Sequence, residues 1–369
     1  MTQKILATRY IKVDPLHPDP GVIQAAGDIL ARGGLVAFPT ETVYGLGANA
    51  LDGRAVMRIF EVKGRPSDNP MIVHVADLDQ VKDLVECLSS PAQELMRAFW
   101  PGPLTLVLPV GGVVPPEVTA GLPSVAIRMP GHAVALALIR AAGSPVAAPS
   151  ANLSGRPSPT MAAHVMQDLN GRIDMILDGG AAGVGVESTV LDLTGSVPTI
   201  LRPGGVTPEA LTGILGKVMV EPAALSSLQT AKPRSPGMKY THYAPRAPLL
   251  LLEGEPRVIA AKIREIAAAY RSKGKQVGIL AYADGEDYTG AGQVVLAGQR
   301  SKPETVAAGL YAALRRFNDL EVDFILAEGL PESGVGLAVM NRLRKAAGGR
   351  IWHVVDRDVG NHLDKMHDE

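Results

Sequence analysis

The sequence predicts an α/β protein of two domains. Short apolar runs alternate with segments of helical period along most of the 369 residues, as strands and helices do in α/β proteins. A chain of this length exceeds what one hydrophobic core ordinarily supports. Between about Pro222 and Pro248 the periodicity disappears, and Pro, Ser, Ala and Lys dominate as in a linker. We therefore predict a first domain over residues 1–218, a linker over 219–247 and a second domain over 248–369.

The elements of the first domain follow from periodicity and from helix start signals. Apolar residues at helical spacing predict a helix from Val22 to Leu30, and Leu35–Phe38 is a buried strand. Asp52 is placed to cap the next helix, while Ser90-Pro91 and Thr207-Pro208 each predict an N-cap followed by proline. Further strands are predicted over Met71–Val75, Leu104–Leu108, Val125–Arg128, Val146–Ala148, Val190–Leu193 and Ile200–Arg202.

After the linker the same alternation resumes over a shorter stretch. It predicts a small Rossmann-like domain with a sheet between two layers of helices. Its strands are predicted over Leu249–Leu252, Val277–Tyr282 and Asp323–Ala327, and its helices over Val258–Tyr270, Thr305–Phe317 and Leu337–Ala347.

Composition argues against several classes of protein. Lys and Arg number 36 and Asp and Glu 37, whereas nucleic-acid coats and membrane-surface proteins need a basic excess. The single cysteine, Cys87, excludes an intrachain disulfide and a cysteine-ligated zinc, and it fits a reducing compartment. The first residues lack the apolar core of a signal peptide, and no apolar run approaches the ~20 residues of a membrane helix. We expect a cytoplasmic protein without a membrane partner.

The familiar phosphate-binding loops are missing from the sequence. Gly213–Lys217 is too short for a Walker loop, and Gly45–Gly47 lacks the third glycine of a dinucleotide fingerprint. No histidine pair has zinc-ligand spacing, and no nucleophile elbow is present. Any phosphate chemistry must therefore use scattered charged and hydroxyl residues.

Such residues gather in segments beside the predicted strands, where open α/β sheets bind ligands. The segments are Pro39–Gly47, Lys63–Pro70, Ser124–Pro130, Pro149–Gly155, Glu187–Thr189 and Arg202–Gly205. Each has an ordinary explanation by itself: Lys63 and Arg65 as a solvated pair, His74 as a satisfied core residue, Ser150 and Asn152 as turn residues. The prediction of one converging site rests on the whole set.

In this order the segments resemble the threonylcarbamoyl-AMP synthase family, also called YrdC/Sua5. The resemblance is carried by Thr40–Leu46, Lys63–Pro66 with Asn69-Pro70, Ser150–Asn152 and Arg202–Gly204, and His242–Pro245 and Asn341–Leu343 resemble the longer Sua5 form. It covers nearly the whole chain. It implies a twisted mixed-sheet domain with a central charged cavity, a Rossmann-like C-terminal domain, and a linker that crosses the active site.

The resemblance also implies a reaction. L-threonine, bicarbonate or CO2, and ATP would give L-threonylcarbamoyl-adenylate and pyrophosphate, and the product would serve the N6-threonylcarbamoyl modification of adenosine in tRNA. Mg²⁺ would accompany ATP, with no metal held by the protein itself. A separate tRNA threonylcarbamoyl transferase would consume the product, and no sequence-specific contact with nucleic acid is expected.

Site residues are assigned by the same resemblance. Threonine would be held by Thr42, His74, Arg128, Ser150 and Ser188. ATP would be held by Lys63, Arg65, Asn69, Ser124, Asn152, Thr160, Arg202 and Tyr243. Lys63 and Arg65 are the catalytic candidates, because cations that face the developing negative charge stabilise the transition state.

Two alternatives remain open at this point. One is a carbamoyl-adenylate enzyme of the hydrogenase-maturation type, which normally carries zinc-finger cysteines that Cys87 alone cannot supply. The other is an RNA-binding or ribosome-associated module. The near-zero net charge and an aromatic content of 4% weaken it, because RNA binding draws on cations and stacking rings.

Overall fold

The structure is a computed structural model, and it describes residues 7–225 and 243–355. The chain divides into two units, Met1–Tyr240 and Thr241–Glu369. Most of the predicted linker, residues 226–242, lies outside the described residues, so its predicted path across the active site stays a prediction. No helix in the described ranges is long and apolar enough to cross a membrane.

The first unit alternates short strands and helices as predicted. Its strands are β1 (Arg9–Lys12), β2 (Val36–Phe38), β3 (Gly45–Asn49), β4 (Ile72–His74), β5 (Leu104–Pro109), β6 (Ser124–Arg128), β7 (Val146–Ala147), β8 (Met175–Asp178), β9 (Thr189–Asp192), β10 (Thr199–Arg202) and β11 (Met219–Val220). Its helices are α1 (Pro20–Ala31), α2 (Gly53–Lys63), α3 (Asp79–Leu84), α4 (Ser90–Phe99), α5 (Pro116–Thr119), α6 (Ala133–Ala142), α7 (Ala162–Leu169), α8 (Pro208–Leu215) and α9 (Pro222–Leu225).

These strands form one mixed sheet in the order β1-β8-β2-β3-β7-β4-β6-β5-β9-β10-β11. Strand β4 is parallel to β6, β5 is antiparallel to β6, and β9 is parallel to β5. Helices α1 and α6 pack together against one part of the sheet. The mixed-sheet architecture confirms the predicted fold class. Strand β11 pairs with β10, so residues assigned to the start of the linker belong to this sheet.

Strand β3 was not predicted, because two of its five residues are glycine. Glycine weakens a strand by propensity alone, yet β3 is buried and pairs antiparallel with β2. A Cβ added to Gly47 would lie 2.8 Å from Val146 Cγ1, so close packing against β7 requires glycine there. Tertiary packing therefore overrides local propensity in this strand.

Helix caps follow the predicted chemistry, with one correction. Asp52 caps α2, where its Oδ1 accepts from Arg54 N at 2.9 Å. Thr207 caps α8 as predicted. In α4 the cap is Ser89 and not Ser90, because Ser89 Oγ accepts from Ala92 N and Ser90 is already helical. Two adjacent serines both satisfy the N-cap pattern, and only the backbone conformation separates them.

The second unit is a Rossmann-like layered domain, as predicted. Its strands are β12 (Leu249–Gly254), β13 (Val277–Ala281), β14 (Gln293–Leu296), β15 (Phe324–Glu328) and β16 (Ile351–Val354), and its helices are α10 (Pro256–Ser272), α11 (Pro303–Asp319) and α12 (Gly336–Ala347). The sheet order is β14-β13-β15-β12-β16, and every pairing is parallel. Helix α10 covers one face, and α11 packs with α12.

Candidate functional site

Five neighbouring strands of the first unit bring predicted site residues to one edge of the sheet. In the order β4-β6-β5-β9-β10, His74 ends β4 and Arg128 ends β6, and the two are direct partners in the register. Ser188 lies just before β9, which begins at this edge, and Arg202 ends β10, which runs antiparallel to β9. Four residues far apart in sequence therefore share one edge.

Arg128 is buried, and three hydrogen bonds fix its guanidinium group. Nη1 donates to Thr42 Oγ1 at 2.9 Å, Nη2 to Glu41 Oε1 at 2.6 Å, and Nε to the Gly102 carbonyl at 3.1 Å. Thr42 lies in the loop between β2 and β3, and its hydroxyl is also 2.9 Å from that of Thr40. The structure thus brings Thr42 to Arg128 and orients the planar cation before any ligand arrives.

Ser188 and Arg202 are also in direct contact. Arg202 Nε and Nη2 donate to the Ser188 carbonyl at 3.1 and 3.0 Å, and Nη2 reaches Ser188 Oγ at 3.2 Å. Ser188 Oγ lies 2.7 Å from Thr105 Oγ1. The turn after Arg202 needs glycine, since a Cβ on Gly204 would lie 2.3 Å from the Glu187 carbonyl oxygen. That close approach holds the Arg202 backbone against the segment that carries Ser188.

Lys63 joins a second group of predicted residues. It is the last residue of α2, which ends at Gly64 in the left-handed conformation. Its buried Nζ donates to the Ser150 carbonyl and, at 2.5 Å, to the Asn152 carbonyl. Ser150 also forms a β-bridge with Gly45, so this group adjoins the hairpin that carries Thr42.

Arg65 and Asn69 organise the loop between α2 and β4. Arg65 Nη2 donates to the carbonyls of Asn69 and Pro70 at 3.0 and 2.8 Å, and its guanidinium lies 5.6 Å from the Phe60 ring centroid. Asn69 is buried, and its Oδ1 has no hydrogen-bond partner among the described residues. This loop thus presents a half-buried cation and an unsatisfied amide oxygen.

His74 is a neutral imidazole beside a cation. Burial, followed by the positive charge of Arg128, lowers the pKa of His74 from its ordinary 6.5 to about 3. Its Nδ1 is buried without a hydrogen-bond partner in the described part of the chain. The ring meets Phe38 edge-on, with centroids 6.2 Å apart. His74 therefore offers ring nitrogens for hydrogen bonding, and at neutral pH it adds no charge.

The other three predicted ATP residues are Ser124, Thr160 and Tyr243. Ser124 begins β6 and shares a sheet face with Arg128, but it lies four positions earlier in the strand, roughly 13 Å away. Thr160 is buried, and its backbone N–H donates to His164 Nδ1 at 3.3 Å. Tyr243 lies in the second unit, where its ring is 5.2 Å from that of Tyr311. Its predicted contact with ATP stays a prediction.

The structure also shows polar residues that the sequence analysis missed. Glu41 forms an ion pair with Arg128, and its Oε2 is buried with no hydrogen-bond partner among the described residues. Thr105 touches Ser188, and Ser158 Oγ donates to Glu187 Oε1 at 2.5 Å. Glu41 lies inside the Thr-Glu-Thr motif, so the sequence could have indicated it as a site residue. Nothing local marked Thr105, a single hydroxyl in an apolar strand.

The arrangement suits an anionic ligand. Lys63, Arg128 and Arg202 are buried cations of one unit, and hydroxyl groups contact Arg128 and Arg202. Such donors bind carboxylates and phosphates through charge-assisted hydrogen bonds. Within residues 7–225 and 243–355, no three His, Cys, Asp or Glu side chains lie close enough to hold a metal ion.

Fold and site together define an α/β protein with buried cations along one edge of a mixed sheet, followed by a Rossmann-like domain. Two family models match these parts. One, described as "Telomere recombination" and covering Sua5, YciO and YrdC proteins, matches residues 28–204. The other, the threonylcarbamoyl-AMP synthase C-terminal domain, matches residues 206–348. The chain belongs to the Sua5/YrdC family in its long, two-domain form.

Known relatives are similar in sequence to this protein over most of its length. The threonylcarbamoyl-AMP synthase of Bacillus subtilis is 55% identical over 90% of this chain and 94% of its own. That of Schizosaccharomyces pombe is 43% identical over 85% and 84%. The crystal structure of Pyrococcus abyssi Sua5 complexed with L-threonine superposes with a TM-score of 0.90 at 48% identity, over 94% of this chain and 100% of that one. The predicted family and fold are confirmed.

Proposed function

We propose that the chain is a threonylcarbamoyl-AMP synthase, which joins L-threonine, bicarbonate or CO2, and ATP into L-threonylcarbamoyl-adenylate and releases pyrophosphate. Relatives of that name, 43–55% identical over most of the chain, support the proposal. The observation that carries it is the shared edge of β4-β6-β5-β9-β10, where His74, Arg128, Ser188 and Arg202 converge.

Threonine is bound at the Arg128 end of this edge. The guanidinium fork suits the α-carboxylate, which would share or take over the position of Glu41. The hydroxyls of Thr42 and Ser188 and the neutral ring of His74 then hold the amine and the side-chain hydroxyl. Ser150 contributes through its carbonyl, which orients Lys63. The relative from P. abyssi was crystallised with L-threonine, which favours this assignment.

ATP is bound by the cations and amides around Lys63, because its triphosphate and the carbamate repel one another without compensating charge. We assign it to Lys63, Arg65, Asn69, Ser124, Asn152, Thr160, Arg202 and Tyr243. Mg²⁺ would neutralise phosphate charge, and a site of cations and hydroxyls fits a metal ligated by the phosphates themselves. The protein's main work is to align the carbamate oxygen with the α-phosphorus.

The product is a mixed anhydride, so it is suited to donate its threonylcarbamoyl group. We propose that a separate transferase consumes it in the cytoplasm, where tRNA is modified. An RNA-binding function without ATP turnover gains no support from the geometry, because Lys63, Arg128 and Arg202 are buried.

The test is pyrophosphate release by the purified full chain. Release should require ATP, L-threonine and bicarbonate together, and omission of any one should abolish it. Mass spectrometry should find threonylcarbamoyl-adenylate in equal amount. Equal release without threonine would contradict the proposal, and salt-sensitive RNA binding without turnover would favour the alternative.

A further inference from the structure

The second unit contains a cavity that the proposed reaction leaves unassigned. It lies at the ends of the neighbouring strands β12 and β15, where the helix that follows each strand packs in a different place. Helix α10 follows β12 and covers the face that carries Leu250, Leu252 and Leu326, whereas α12 follows β15 and packs with α11. Parallel sheets bind ligands at such switch points, outside the carboxyl ends of the strands. The position alone therefore marks a candidate ligand site.

The cavity has a volume of about 410 Å³, within the range of small-molecule sites. Its wall includes the end of β12 at Glu253, the loop after β15 at Glu332, and Met340 of α12. Arg300 and His353 complete the polar lining. Every one of these residues belongs to the second unit.

Arg300 is held rigidly with donors to spare. Its Nη2 donates to the fully buried Glu328 at 2.7 Å, and its guanidinium lies 5.0 Å from the Tyr282 ring centroid. Asp284 fixes the backbone by accepting from the N–H groups of Arg300 and Ser301. Arg300 Nε is buried with no hydrogen-bond partner among the described residues. A buried donor without a partner is costly, so this group calls for an acceptor such as a carboxylate.

Another part of the lining is acidic. Arg344 is clamped between two carboxylates, with Nε 2.8 Å from Glu253 Oε1 and Nη1 3.0 Å from Glu332 Oε2. His353 Nδ1 lies 3.5 Å from Glu253 Oε2. The Arg300–Glu328 pair has no net charge. Glu253 and Glu332 share the single positive charge of Arg344, so the cluster carries one net negative charge when His353 is uncharged. That excess disfavours a phosphate and favours an ammonium group.

We infer that this cavity binds a small zwitterion of the α-amino-acid class. The α-carboxylate accepts from Arg300, the ammonium group donates to Glu332 and Glu253, and the side chain lies against Met340 and Leu330. The carboxylate of such a ligand meets the Arg300 guanidinium. Its ammonium group meets the net negative charge of Glu253 and Glu332, whose four oxygens each accept from Arg344 and keep a second lone pair. Neither a phosphate nor a simple amine does both.

The test uses the full chain and three probes: a mixture of the L-amino acids other than threonine, inorganic phosphate, and putrescine. Ligand-detected NMR should show that at least one amino acid binds, and calorimetry should give a Kd below about 1 mM. Arg300→Gln should weaken this binding at least about tenfold, whereas the exposed Arg264→Gln of the same unit should not. Arg128→Lys should leave it intact, which separates this cavity from the threonine site.

Arg300→Gln leaves Glu328 buried without its cation and so threatens folding, and two peripheral variants therefore support the test. Glu332→Gln removes half of the proposed ammonium site at a part-exposed position, and His353→Trp narrows the cavity at an exposed one. Both should weaken amino-acid binding several-fold. Failure of every amino acid to bind, Arg300-dependent binding of phosphate or putrescine alone, or loss of binding in Arg128→Lys would overturn the inference.

Discussion

In the first unit, Lys63 and Arg202 donate to backbone carbonyls, and Arg202 also to a hydroxyl, whereas in the second unit Arg344 donates to the carboxylates of two glutamates. A carbonyl dipole orients a cation without cancelling its formal charge. A carboxylate cancels it and ties two segments of backbone together. The first arrangement suits a group that must meet an incoming anion, and the second suits architecture.

Arg128 lies between these extremes, because it bonds both to the carboxylate of Glu41 and to neutral oxygens. A substrate carboxylate that takes the place of the Glu41 carboxylate on Arg128 replaces one anion with another, so the local charge changes little. Exchange of this kind would let a buried arginine stay compensated before and after binding. The comparison therefore predicts that loss of a cation affects mainly stability in the second unit and mainly turnover in the first.

The largest expected effect is on the stability of the second unit. Arg344→Leu would leave Glu253 buried without its cation, and removal of one partner of a buried pair destabilises by about 3–5 kcal/mol. Calorimetric unfolding of the full chain should show the second unit melting early. The exposed pair of Arg264 and Glu286 is the control, since Arg264→Leu should change stability by less than about 1 kcal/mol. Equal effects would erase the distinction between the two arrangements.

Arg65→Ala should act on turnover and not on folding. Its described hydrogen bonds stay within its own loop, and we assign it to the charge of the transition state. Loss of one such group costs about 2–4 kcal/mol of transition-state stabilisation, so threonine-dependent pyrophosphate release should fall by a factor of about 30 to about 10³. Arg97→Ala, in the exposed face of α4, should retain full activity. Wild-type turnover in Arg65→Ala would refute the role of Arg65.

The protonation of His74 makes the stability of the first unit depend on pH. Its pKa in the folded chain is about 3, against an ordinary 6.5, so between these values the unfolded state binds the extra proton. Stability should be fully present above pH 6.5 and fall as the pH is lowered, by up to about 2 kcal/mol down to pH 5. Urea unfolding of the wild type and of His74→Gln, each measured above pH 6.5 and at pH 5, isolates the contribution of His74 to the pH dependence of stability. An equal loss in the two proteins would contradict the assignment.

The sequence predicted secondary structure well where apolar period and cap signals coincide, as in α1, α2 and β6. It missed β3, because close packing and not propensity makes the glycine-rich segment a strand. The positions of the segments beside predicted strands indicated that Thr42, Arg128, Ser188 and Arg202 would converge, but their individual roles came only from resemblance to a family. Their alignment depends on the order β4-β6-β5-β9-β10, in which β4 lies beside β6 and β5 beside β9 although neither pair is consecutive in sequence. For the same reason no local pattern could reveal Thr105 or the pairing of Glu41.

The smallest expected effect is the loss of stability when a single uncharged hydrogen bond is removed. Ser89 and Ser90 are adjacent and chemically identical, but only Ser89 Oγ accepts from the backbone of α4. Ser89→Ala should therefore lower stability by about 1 kcal/mol, the usual contribution of an N-cap, and Ser90→Ala should have almost no effect. Chemical unfolding of the two variants measures the difference directly. If Ser90→Ala proved the more damaging, the cap would lie one residue later, where the Ser-Pro pattern had placed it.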